Sequence, residues 1–596
     1  MGNWLLLGAA LTLAGGCTAY PRSAPVAPVA PVALASAPAP IPVPAYDVLI
    51  RGGAIYDGSG GAPYLGDIAI QGDRIAYAGP QRRATAAQVV DARGLAVAPG
   101  FINMLSWATE SVLVDPRGQS DLRQGVTLEV MGEGWSMGPL TDQMKALSIK
   151  QQGDFKYPIE WTTLGDYLKF VERKGTALNI ASFVGATTVR QHELADRDVD
   201  PTPAQLDRMR ALVRQAMEEG AMGVGSSLIY PPAAFAETDE LVALVTEAGR
   251  CGGMYISHMR SEGDRLVESV DELIEISRRS GAPAEIYHLK QAGGANWGKL
   301  DQVIARVEAA RASGLRITAN MYTYTAGGTG VAASMPPWVQ DGGVDAMLKR
   351  LKNPAMVARI KREMVKPGSN WENLYFHAGP DGIRLANLVE PSLKPLIGKT
   401  IAEVAKQRGT SPEQAVIDLT LADQGRAGAI YFLMSEDNVR RQTSIPWMSF
   451  GSDAQASAPE GVFLKSGTHP RAYGNFARLL GKYVRDEKTT PLADAIRRLT
   501  ALPASNLGLR DRGKLAPGMA ADVVLFDPAT IADHATFEKP MQFATGVRDV
   551  FVNGVQVLKG GEPTGATPGR FVKGPGWTGW PGGGACRGVG SAVGSE

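Results

Sequence analysis

Two of the six histidines in this 596-residue chain end apolar, strand-like runs: His258 in "MYISHMRSE" and His288 in "EIYHLKQAG". Neutral imidazole is a common ligand for divalent transition metals. A lone histidine is more often a satisfied core or loop residue, but two on successive strand ends are neighbours and can share one ion. Glu133, in "EVMGEGWS", ends an earlier run and can complete a set of two histidines and one carboxylate, of the kind that holds catalytic zinc. Asp453, in "FGSDAQAS", ends a later run. Either carboxylate could instead be local, Glu133 bonding to loop amides and Asp453 serving as a turn residue or helix N-cap. Lys290, Tyr322 and Tyr324 stand at strand ends too. Together these types support metal-assisted hydrolysis, in which an ion acidifies water and a carboxylate moves its proton.

Such side chains converge only if their strands lie side by side. Apolar runs ending near Leu105, Gly132, Gly185, Leu228, His258, Lys290, Thr325 and Asp453 alternate with helical patterns. After the fifth, "DRLVESVDELIEISRRSG" places Leu266, Val270, Leu273 and Ile274 on one face and stops at Gly281. The order predicts an α/β chain with a TIM-type (β/α)8 barrel, whose chemistry sits at the C-terminal strand ends. The stretch Gly327 to Ile445 is too long for a simple connection and predicts an inserted, mostly helical subdomain at about 328–425 that covers the site. Alternating segments flank the barrel: "YDVLIRGGAIYDGSG" and "GDIAIQGDRIAYAG" before it, "GMAADVVLFDP" and "VRDVFVNGVQVLKGG" after it. They predict a small β-sandwich built from both chain ends, 46–97 and 509–574, around a barrel at 98–508.

The ends read differently. Residues 1–17 have a signal-peptide pattern, an apolar core from Trp4 to Leu13 and then "LAGGC" closing on Cys17. This resembles a bacterial lipoprotein signal, although no Lys or Arg precedes the core; an ordinary cleaved secretory peptide is the alternative. Residues 18–45 form a Pro/Ala-rich tether, and the Gly-rich 575–596 reads as disordered. The expected location is the bacterial cell envelope, in the periplasm on a lipid anchor at Cys17, or outside the cell. Lys and Arg number 61 against 60 Asp and Glu, which excludes a broad nucleic-acid surface and favours a small-molecule substrate. Cys17, Cys251 and Cys586 are too few for a disulfide framework.

Several segments together carry a family resemblance: "APGFI", "QGVTLEVMGEGWSMGPL", "SSLIYPPAAFAETDEL", "YISHMRSEGD", "YHLKQAGGANWGK", "MYTYTAGGTG", "FGSDA" and "GTHPRAYGNFARLLGKYV". From about Tyr46 to Gly574 the chain resembles the N-acyl-D-amino-acid deacylases (D-aminoacylases) of the amidohydrolase superfamily. The resemblance implies metal ligation by His258 and His288 and a catalytic Asp453. It also implies that Lys290, Arg471 and a tyrosine, Tyr322 or Tyr324, hold the substrate carboxylate. Three positions depart from the pattern. The first-strand His-x-His is Leu105-Ser106-Trp107, the second-strand ligand cysteine falls on Glu133, and a histidine after the third strand is Ala186.

In the family the tight metal site uses the second-strand ligand and the two later histidines, and the first-strand histidines serve a weaker second position. The expectation is therefore one divalent ion on Glu133, His258 and His288. Zinc is the ion expected, although a carboxylate in place of a thiolate loosens that preference. Trp107 fills the space of a second ion and lines the substrate site. The expected reaction is hydrolysis of an N-acyl amino acid, by resemblance the D-enantiomer, with Asp453 moving the proton and Glu110 the next candidate base. The alternatives are cyclic-amide or N-acyl dipeptide hydrolysis on the same fold, or a catalytically inactive envelope binding protein. The oligomeric state is not readable.

Overall fold

A computed structural model describes residues 14–16, 19, 44–368 and 370–586. Cys17, most of the signal segment and most of the Pro/Ala-rich tether lie outside the described residues. No helix among the described residues is long and apolar enough to cross a membrane.

Parallel strands alternating with helices make this an α/β fold. The first parallel strand, Phe101–Asn103, pairs with the second, Val126–Met131, which pairs with Asn179–Ser182 of the third. The third strand continues as Val184–Gly185 and opens a six-stranded parallel sheet. Its other members are Gly223–Ser227, Met254–His258, Ala284–Ile286, Ile317–Met321 and Met448–Phe450. The eighth strand meets the first through main-chain bonds, Met104 N–H to Phe450 O (3.1 Å) and Asp453 N–H to Leu105 O (2.9 Å). Every residue of the fifth and seventh strands is buried, as parallel strands covered on both faces require. Helix Leu266–Ser280 buries the predicted Leu266, Val270, Leu273 and Ile274 and ends at Gly281, whose φ of 72° is the left-handed cap.

Segments from both chain ends share one nine-stranded sheet, joined where Ala96–Pro99 runs antiparallel to Val523–Phe526. Ala45–Ile55 is its branch point, pairing with Thr85–Asp91 along its first half and Ala96–Pro99 along its second. The hydrogen bonds of this two-ended assembly form one branched sheet. Ile50, Ile68, Ile70, Val523, Leu525 and Phe551 fill its interior.

Between the seventh and eighth strands lies a subdomain with its own core, including Val339, Ile360, Val404, Val416 and Leu419. Beside its helices it holds an antiparallel three-stranded sheet of Ala326–Gly330, Gly428–Phe432 and Ile383–Asn387. This sheet was not expected in a subdomain read from the sequence as mostly helical. The expected disorder from Pro575 is corrected as far as Cys586. Trp580 Nε1–H donates to Gly574 O (2.9 Å), Trp577 and Trp580 pack edge to face, and Cys586 forms a disulfide with Cys251. Two indoles and a cross-link supply contacts that a Gly-rich composition alone does not suggest.

Candidate metal centre and active site

Glu133 follows the second strand between two glycines in the left-handed region. At Gly132 (φ +103°) a Cβ would lie 2.3 Å from Phe183 O, so no side chain fits. His288 follows the sixth strand at φ 32°, its N–H held by Asn320 Oδ1 (2.8 Å). Asp453 follows the eighth strand at φ 50°. Left-handed backbone at residues other than glycine is strained, and it persists where surrounding bonds enforce it. His258 ends the fifth strand.

These elements bring three ligand atoms to one point. Glu133 Oε1 lies 2.8 Å from His288 Nε2 and 3.2 Å from His258 Nδ1, and the two nitrogens are 3.0 Å apart. All three residues are buried. Ligands around a tetrahedral zinc with bonds of about 2.0–2.1 Å stand about 3.3 Å apart, so the triangle fits such an ion with small adjustment. Burial pushes the Glu133 carboxyl up, but the charges and hydrogen bonds of His288 and His258 outweigh it and hold its pKa well below the usual range. For His288, burial and Lys290 press downward while Glu262 and Glu133 prevail, raising its pKa to about 9.

Bonds between the first and eighth strand ends set Trp107 beside Asp453, with Trp107 N–H donating to Ala454 O (2.9 Å). The indole Nε1–H is shared between Glu133 Oε2 (2.9 Å) and Asp453 Oδ1 (3.1 Å). Asp453 Oδ2 lies 2.8 Å from Arg471 Nη1. That ion pair lacks hydrogen-bond alignment, because Arg471 Nε and Nη1 are both buried without a hydrogen-bond partner. The guanidinium sits 4.5 Å over the Tyr322 ring. Burial raises the pKa of Asp453, with Arg471 opposing and Glu133 adding to the shift. His469 fixes the start of the arginine's helix: its Nδ1 accepts from Arg471 N–H (3.0 Å) and its Nε2–H donates to Ala326 O (2.9 Å).

Trp107, Glu133, His258, His288, Lys290, Tyr322, Asp453 and Arg471 all face one cavity of about 650 Å³. Tyr324 does not: its hydroxyl donates to Asp533 Oδ2 (3.1 Å) and its ring packs against Arg478. The strand stops at Met321, and Thr323 N–H turns onto Asn475 Oδ1 (2.8 Å), so simple alternation no longer holds. Leu105 is fully buried among Ile102, Met104 and Leu128, away from the cavity lining. Glu110 lines the cavity and accepts from the Tyr157 hydroxyl (2.5 Å). Ala186 opens a helix. The sequence reading missed Glu262, which lies behind both histidines, and Trp135, Tyr230 and Phe463, which give the cavity aromatic walls.

Residues 88–558 match the Amidohydrolase family. The chain is 33% identical to the D-aminoacylase of Alcaligenes xylosoxydans xylosoxydans, over 88% of this chain and 97% of that protein. It belongs to the amidohydrolase family, among the D-aminoacylases. Relatives are thus hydrolases of carbon–nitrogen bonds other than peptide bonds. The N-acyl-D-glutamate deacylase of Bordetella bronchiseptica, solved with zinc and a phosphonate mimic of the tetrahedral intermediate, is 29% identical. The match covers 89% of this chain and 99% of that one, with a TM-score of 0.73. A D-aminoacylase structure at 31% identity has the same TM-score and covers 89% and 100% of the two chains. It is described by a binuclear centre with one-metal activation and second-metal attenuation. Similarity at this level makes the TIM-barrel type of the amidohydrolases the fold of this chain.

Proposed function

We propose that this protein hydrolyses N-acyl-D-amino acids to a carboxylate and a free D-amino acid, using one divalent ion, zinc, on Glu133, His258 and His288. The observation that carries the reading is Arg471. A buried guanidinium that pairs with Asp453 through Nη1 and leaves Nε without a hydrogen-bond partner, beside a three-ligand cluster, is suited to a carboxylate, which it can bind in two-pronged fashion. The α-carboxylate of an N-acyl amino acid supplies that group. Glu133, His258 and His288 would hold the ion, which would supply Lewis acidity toward the acyl carbonyl and a water molecule. Asp453 accepts the proton of the attacking water and passes it to the leaving amine. Trp107 Nε1–H keeps the Asp453 and Glu133 carboxylates apart and aimed. Tyr322 floors the arginine.

A single ion is supported by Trp107 and Leu105. The indole N–H already occupies Glu133 Oε2 and Asp453 Oδ1, and Leu105 packs in the core, so neither first-strand position offers a ligand. We read the eight parallel strands as one closed barrel, supported by the bonds between the first and eighth, with the inserted subdomain over its mouth. Residues 1–17 support an envelope location with Cys17 lipidated, which acyl labelling of the parent and of Cys17→Ser in cells tests.

The activity is tested by chiral chromatography of zinc-loaded protein with the D- and L-enantiomers of N-acetylated amino acids. Release of the D-amino acid with a large excess over the L is expected. A metal-loaded protein that turns over neither enantiomer overturns the reading. Preference for a hydantoin over every N-acyl amino acid selects cyclic-amide hydrolysis instead.

A further inference from the structure

We infer that Asn103 is a positioning residue for the reaction, a cross-brace whose single amide fixes the backbone before Asp453 against the backbone that leads to Trp107. The inference rests on the reading that Asp453 carries the proton in hydrolysis.

Asn103 ends the first strand and is fully buried. Its Oδ1 accepts the N–H of Ser452 (2.8 Å), the residue before Asp453, and more weakly the N–H of Leu105 (3.4 Å), two residues before Trp107. Its Nδ2 donates to Ser452 Oγ (2.8 Å) and to Glu129 Oε2 (2.9 Å) of the second strand. These partners settle which end of the amide is which. Turned over, it would set a donor against the Ser452 N–H and an oxygen against the Glu129 carboxyl.

Asp453 stands at φ 50°, a conformation that persists only where neighbours enforce it. Enforcement comes from the first strand and its continuation. Leu105 O takes the Asp453 N–H (2.9 Å), and Asn103 takes the Ser452 N–H just before it. Ala454 O in turn takes the Trp107 N–H (2.9 Å). The Asp453 carboxylate and the Trp107 indole, 3.1 Å apart, hang from this one short ladder, and Asn103 is a side-chain rung of it. Asn103 does not line the cavity, so it acts through the residues it holds.

Charge explains an amide at this position. Glu129 and Asp121 are both fully buried, and Asp121 Oδ1 lies 3.4 Å from Asn103 Nδ2. Burial raises the pKa of both carboxyls, Glu129 to about 7, and Glu129 adds to the shift at Asp121. An aspartate at 103 would bring a third carboxyl into the same space and leave Glu129 without its donor.

The test is an exchange of partners. Asn103→Asp keeps an acceptor for the Ser452 N–H but sets carboxyl oxygen against carboxyl oxygen at Glu129. It should keep one zinc per chain and KM within about threefold, and lose kcat for an N-acyl-D-amino acid by about tenfold or more, since small misplacements of reacting groups cost on that scale. Asn103→Asp with Glu129→Gln returns the donor from the other side of the same contact and should restore kcat to within threefold of the parent. A smaller loss in the single variant, a loss that falls on KM instead, or a double variant that stays below threefold of the parent overturns the inference. If Asn103→Asp does not melt cooperatively, the double variant decides by the same limit. Deuterium uptake by residues 448–456, which hold the Ser452 and Asp453 amides, needs no turnover. It should rise in Asn103→Asp and return to the parent's level in the double variant, and unchanged uptake in the single variant overturns the brace. If the parent hydrolyses no N-acyl-D-amino acid, the functional reading fails while uptake still decides the role of Asn103.

Discussion

Trp107→Phe separates an adapted site from a damaged one. The substitution keeps an aromatic wall and removes one N–H. That N–H is shared by Glu133 Oε2 at 2.9 Å and Asp453 Oδ1 at 3.1 Å, so its loss strips a donor from two carboxylates at once and leaves their mutual repulsion unrelieved. Hydrogen bonds to charged groups contribute about 1.5–3 kcal/mol. At about 1.36 kcal/mol per tenfold, the expected loss in kcat/KM is roughly 10- to 150-fold. Most of it should fall in kcat, because Arg471, which binds the carboxylate in our reading, is untouched. Zinc content should stay at one ion per chain, since Glu133 reaches the histidines through its other oxygen, Oε1. The assay is kcat and KM beside elemental analysis and a thermal melt. Activity within twofold of the parent would mean that the indole is a passenger left by the loss of the first-strand histidines, and would refute the reasoning.

Three further outcomes follow from the same geometry. Asp453→Asn should keep its zinc and lose about 10²-fold or more in kcat, the scale of general acid–base catalysis, and near-normal turnover would move the base to Glu110. His288, raised to about 9 by Glu262 and Glu133 against burial and Lys290, carries below that pH a proton that an incoming ion must displace. Apparent zinc affinity should therefore fall about tenfold per pH unit between pH 8 and 6 and level off above about 9; a flat profile in chelator competition would contradict it. Turnover should be insensitive to excess zinc, unlike the second-metal attenuation described for the related D-aminoacylase.

The convergence of the candidate site residues was legible because each of them ends an apolar run, and a residue just past a parallel strand has few places to go. Glu133, His258, His288 and Asp453 converge on that logic alone. Glu262 was not legible. It sits four residues past His258, in a loop with no period. Choosing Tyr322 over Tyr324 required knowing that the strand stops at Met321. The tail through Cys586 was misread because a few aromatic and cysteine contacts outweigh glycine content. The two-ended sheet was legible in its pairing of chain ends but not in its branching, since strand alternation gives a face and not a partner.

Charge bears on how many ions the site can hold. Glu133 and Glu262 are buried carboxylates and Asp453 a largely buried one within one cluster, and Lys290 and Arg471 are the cations beside them. Buried charge is tolerated when it is paired. With neutral imidazoles and one divalent ion, the group carries a single excess positive charge, which the carboxylate of an N-acyl amino acid cancels on binding. A second divalent ion would leave two more positive charges in the same low-dielectric space. It would also have to displace the Trp107 N–H, a donor that carries no net charge. In this chain a dipole stands between carboxylates where the resemblance implies a second ion, and in our reading of one metal the substrate carboxylate brings this group of charges to neutrality. N-acyl amines that lack the carboxylate should therefore be poor substrates even where their acyl group fits the aromatic cavity.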